Sequence, residues 1–81
     1  MDRTAWRHVF ASLATYIRAH EGETLTGEEW FERSKASQAV RRMPVEDVRA
    51  EALRAACREL LLERLADGRY RAVRARGRVI G

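Results

Sequence analysis

The sequence predicts an α+β, mostly helical fold: three helices followed by a C-terminal β-hairpin. Three observations carry this expectation. Apolar residues recur at spacings of three and four over residues 6–17 and again over 45–65. Thr26 and Glu29 stand at the spacing of a helix-capping box, just ahead of Trp30 and Phe31. After Asp67-Gly68 the helical period is lost, and β-branched residues return around Gly77.

The first helix is drawn by Trp6, Val9, Phe10, Leu13, Tyr16 and Ile17, which line one face at 3.6 residues per turn. Asp2 or Thr4 can cap its start, and Gly22 can end it in a left-handed conformation. Thr24 to Thr26 are suited to a very short strand between two helices. In the second helix, beginning near Gly27, the Thr26 hydroxyl is expected to accept from the Glu29 amide while the Glu29 carboxylate reaches back. Leu25 is placed to pack under Trp30 or Phe31. Beyond Ser34 the apolar period weakens, so the helix either continues to Arg42 or is split by a turn within Ser34 to Ser37. Pro44 suits a first helical position, and the third helix is expected to run from there to about Ala66, ended by Asp67-Gly68. Val45, Val48, Ala52, Leu53, Ala56, Cys57, Leu60, Leu61 and Leu65 form its broad apolar face, which puts Leu60, like Phe10, in the core. Residues 69–80 are then left for a hairpin with its turn at Arg74 to Gly77.

Eighty-one residues suit a single domain, 1–81. Forty-six per cent are apolar, too many for a disordered chain. So short a chain buries only about 60% of the surface its unfolded form exposes, and a homodimer would bury more. Cys57 is the only cysteine, which rules out an internal disulfide. The first residues lack the uninterrupted apolar core of a signal peptide. No stretch approaches the roughly 18 apolar residues of a membrane span. A soluble, cytoplasmic, prokaryotic protein with no membrane partner is expected.

Little points to catalysis. His8 and His20 are the only histidines, and neither stands at metal-ligand spacing with Cys57. No phosphate-binding glycine loop or nucleophile elbow occurs. Glu28, Glu29 and Glu32 are clustered, but capping and solvation account for them. No enzyme activity and no cofactor are expected.

Charge is the informative feature. The net charge is +4, and fifteen of the sixteen basic residues are arginine. No acidic residue follows Asp67, whereas Arg69, Arg71, Arg74, Arg76 and Arg78 all do. A local excess of this kind points to an anionic partner. Arginine presents a flat fork of donors that fits phosphate, and each phosphate neutralised releases condensed counterions.

The stretch "LLLERLADGRYRAVRARGRVIG" resembles the end of a winged helix-turn-helix domain. Leu61, Leu65, Gly68, Tyr70, Gly77, Val79 and Ile80 fit that family's leucine-rich helix end, break, strand, basic glycine-containing wing and short apolar strand. "LTGEEWFERS" resembles its second helix with a threonine cap. The resemblance covers residues 24–34 and 53–81 and implies a small DNA-binding protein, a transcription regulator or accessory factor. Arg41, Arg42, Arg69, Arg71, Arg74, Arg76 and Arg78 would contact phosphates. The alternative is a protein-protein interaction module, an adaptor or inhibitor subunit, docking through the hairpin edge or the third-helix face. A continuous positive face on the third helix and wing favours DNA. A face broken by Glu46, Asp47 and Glu51, with exposed Val45 or Leu62, favours protein.

Overall fold

The computed structural model of the chain describes residues 3–40 and 43–74. Its elements run α1 (Arg3–Ala19), β1 (Thr24–Leu25), α2 (Gly27–Arg33), a 3₁₀ turn (Ala36–Ala39), α3 (Val45–Arg58), β2 (Leu62–Arg64) and β3 (Tyr70–Ala72). The fold is α+β and mostly helical, and a hairpin follows the third helix. The strands form one antiparallel sheet in the order β1-β3-β2.

The first helix buries Ala5, Val9, Leu13, Ala14 and Ile17. Trp6 and Phe10 stack with ring centroids 6.0 Å apart and pack half-buried against the rim of the core rather than inside it. The chain reverses through Gly22 at φ +86°, where its N–H donates to the carbonyl of Ala72 at 2.9 Å. The Ala72 N–H answers to Glu23 O at 3.0 Å, which extends the pairing of β1 with β3. Asp2, one of the two expected caps, lies outside the described residues.

The capping box forms as the spacing predicts. Glu29 N–H donates to Thr26 Oγ1 at 3.0 Å, and Thr26 N–H donates to Glu29 Oε1 at 2.9 Å. Leu25 and Trp30, on either side of the cap, are both buried in one cluster, the arrangement of a hydrophobic staple. Trp30 and Phe31 are the largest fully buried side chains. The Trp30 indole N–H also donates to Tyr70 O at 2.9 Å, tying α2 to β3.

The helix does split. Lys35 adopts φ +66°, and the buried Ser34 side chain stabilises the break. Its hydroxyl donates to Phe31 O at 3.1 Å and accepts from Ala36 N–H at 3.2 Å. One side chain thereby satisfies a carbonyl and an amide that the end of the helix leaves open. Pro44 is the N-cap of α3 rather than its first residue, so the helix begins at Val45, one residue later than the sequence suggests. Glu46 and Asp47 in the first turn and Arg58 in the last complement the helix dipole.

Two expectations are corrected at the end of α3. The helix stops at Arg58, not near Ala66. Leu61 N–H bonds back to Ala56 O at 2.9 Å and Leu60 N–H to Cys57 O at 3.0 Å, with Leu60 at φ +61°. These are the bonds of a Schellman motif, made here with leucine in the position glycine usually fills. Leu60 is therefore turned outward and 75% exposed, whereas the helical pattern placed it in the core. Left-handed backbone costs a residue with a Cβ about 1–2 kcal/mol. Glycine would relieve that strain, less about 0.4–1 kcal/mol for the freedom it adds to the unfolded chain. Leu60→Gly is thus expected to raise stability by about 0–1.6 kcal/mol. A urea titration showing a clear loss would mean that the Leu60 side chain packs.

A hairpin forms one strand earlier than the one the sequence suggests. Asp67-Gly68 is its turn rather than a helix stop. Arg64 pairs with Tyr70, Leu65 N–H donates to Arg69 O at 2.8 Å, and Gly68 N–H donates to Leu65 O at 3.0 Å. With Gly68 at φ +91°, this is a three-residue loop with a tight turn followed by a left-handed residue. β3 is hydrogen-bonded by β1 on one side and β2 on the other, so it is the second strand of the hairpin and the centre of the sheet. The expected turn at Arg74 to Gly77 and its return strand fall beyond Arg74, outside the described residues. Leu25, Leu62 and Ala72 form the inner, buried face of the sheet.

Candidate nucleic-acid interface

Strand alternation divides the arginines between the two sides of the sheet. In β3, Tyr70 and Ala72 turn toward the core and Arg71 turns outward. In β2, Leu62 is buried, Glu63 faces outward opposite Arg71, and Arg64 returns to the side of α3.

Of the seven arginines the sequence singles out, three are described. Arg69 stands at the hairpin loop, where its backbone N–H donates to Asp67 Oδ1 at 3.0 Å and its guanidinium to Oδ2 at 2.8 Å. These bonds hold the Asp67 carboxyl below its usual range, the backbone donor contributing most. Arg71 lies on the outer face and donates to Glu63 Oε1 at 2.7 Å. Arg74 follows β3 and lays its guanidinium over Gly22, where a Cβ would come within 2.7 Å of Nη2. Arg71 and Arg74 share an outer cleft with Gly22 and Glu63. Arg69 is not part of that cleft. Arg41, Arg42, Arg76 and Arg78 lie outside the described residues.

A second arginine group, which the sequence did not single out, lies on the opposite side. Between α3 and the hairpin runs a groove of about 290 Å³ with Leu53, Cys57 and Tyr70 along it and Arg54, Arg58 and Arg64 around it. Arg54 donates to Glu51 Oε1 at 2.7 Å, and Arg58 approaches the other oxygen of the same carboxylate at 4.0 Å. The hydrogen bond from Arg54 holds the Glu51 carboxyl below its usual range. Arg64 has no ion pair among the described residues. Burial pushes the Cys57 thiol above its usual range, and the Arg64 charge works against that shift. Arg54 and Arg58 are one helical turn apart in sequence, so their shared face was legible. Arg64 joins them only because the helix ends at Arg58 and the chain doubles back.

The exposed side of α3 is therefore graded. Val45, Glu46 and Asp47 are exposed at its start, and Arg54 and Arg58 at its end. Leu62 is buried. The ion pairs of both groups are solvent-exposed and therefore weak, so a phosphate can displace the carboxylate at small cost.

No family model matches the chain, and no curated protein or solved structure is significantly similar to it. Among the described residues, no helix is long and apolar enough to cross a membrane.

Proposed function

We propose that this chain is a small DNA-binding protein of winged-helix type, a regulator or accessory factor that grips the phosphate backbone. The observation that carries the reading is the groove between α3 and the hairpin, ringed by Arg54, Arg58 and Arg64. The sheet order β1-β3-β2, with three helices threaded before the hairpin, supports the winged-helix arrangement. In this reading Arg69 extends the contact at the hairpin loop, while Arg71 and Arg74 lie on the far side of the sheet.

Glu46 and Asp47 would repel phosphates, so base reading by the start of α3 is disfavoured. Backbone contacts position a protein without reading sequence. Binding is therefore expected to be similar for unrelated duplexes. A second reading, docking of a protein partner on the start of α3, is favoured by Val45, which is 44% exposed beside those two acids.

Fluorescence anisotropy with a random duplex at several salt concentrations tests the proposal. Affinity should fall with salt, the logarithms related by a slope of about −0.9 per neutralised phosphate. No binding at low salt would exclude DNA and leave the protein-docking reading.

A further inference from the structure

The end of α3 carries a second surface that DNA binding does not use. Leu60 is 75% exposed at φ +61°, so an apolar side chain occupies a position where glycine would be unstrained. An unfavourable backbone combined with an exposed leucine is a reason to look for a contact. Leu60 lines a cleft of about 420 Å³ together with Ile17, Leu61 and Val73, with Arg18, Glu21, Glu59 and Arg74 around it. Val73 is itself 38% exposed. The ion pairs between described residues use none of Arg18, Glu59 and Arg74.

We propose that this cleft is the contact surface of a symmetric homodimer, in which Leu60 of each copy enters the cleft of the other. The occupant follows from self-complementarity. A two-fold interface uses one patch on both subunits, so that patch must supply both the protruding group and its receptor. Here Leu60 protrudes at the edge of a cleft with apolar walls. The rim has the same property: it holds charges of both signs, so Glu59 of one copy can meet Arg18 or Arg74 of the other. An apolar centre with a polar, charged rim is the usual anatomy of a protein interface. A nucleic acid would meet Glu59 unfavourably and would gain nothing from Leu60.

Sedimentation of the full chain without DNA tests this, independently of the DNA reading. As concentration rises from about 1 µM to about 1 mM, the span in which small interfaces associate, the mass should move from 9.3 kDa toward twice that value. Leu60→Asp should keep the chain at the single-copy mass throughout. Leu60→Gly should also abolish association, yet its unfolding midpoint, measured at dilute concentration, should not fall. A residue with a merely structural role would lose stability together with association. A wild-type mass that stays at one copy up to about 1 mM overturns the proposal. So does association of Leu60→Gly or Leu60→Asp equal to that of the parent.

Discussion

Replacing Trp30 by alanine is expected to remove about 3–5 kcal/mol of stability. A domain of this length holds about 4–12 kcal/mol in total, so the variant should lose a quarter or more of its stability. Trp30 is fully buried, and it is the residue through which three parts of the fold meet. Its position at the fourth residue of α2 is fixed by the Thr26–Glu29 capping box. Its indole N–H reaches Tyr70 O at 2.9 Å on the central strand. Its ring meets the edge of Tyr16 from α1, centroids 5.8 Å apart at 78°. Deletion to alanine leaves a large cavity between a helix pair and a sheet that a chain this small cannot refill. Trp30→Phe keeps an aromatic ring but deletes the donor, and should cost about 1–2 kcal/mol for the lost bond and misfit. Urea titration followed by circular dichroism measures both. If Trp30→Ala lies within about 1 kcal/mol of the parent, the core is organised around other residues.

The contrast with Leu60 shows what sequence periodicity can and cannot reveal. Thr26, Glu29 and the apolar residues of α1 act within a few positions of one another, so spacing alone predicted their helices. The end of α3 depends on a choice that spacing does not record. Continued as a helix, Leu60, Leu61 and Leu65 extend an apolar face. Once Leu60 turns left-handed, Leu62 becomes the buried strand residue instead and pairs with Ala72. Glycine at position 60 would have announced the stop. Leucine conceals it, because the energy that holds it there comes from the sheet that follows. Asp67-Gly68 was visible but ambiguous, since the same pair ends helices and makes hairpin loops. Charge was only partly legible for a similar reason. An excess of arginine after Asp67 is real in the sequence, yet folding brings Glu63 against Arg71 and leaves Arg64, inside a mixed stretch, without an ion pair among the described residues.

That redistribution gives the binding prediction with the largest effect. Arg54, Arg58 and Arg64 changed together to alanine should make the salt slope of duplex binding shallower by about two to three units, if each touches one phosphate. Between 50 and 200 mM salt the parent should therefore lose about 20- to 60-fold more affinity than the variant loses. Arg71→Ala with Arg74→Ala, on the outer face of the sheet, should leave the slope within about one unit of the parent. Neither set belongs to the core, and exposed substitutions usually shift stability by no more than about 0.5 kcal/mol. Helical circular dichroism should accordingly be retained in both, which separates loss of binding from loss of fold. The reverse result, a shallow slope only when Arg71 and Arg74 are removed, would place DNA on the outer face and overturn the assignment to the groove. An unchanged slope in both variants would move the contact to Arg41, Arg42, Arg76 and Arg78. Equal losses in both would mean that DNA wraps the hairpin from two sides, which a single straight duplex contacting one face cannot do.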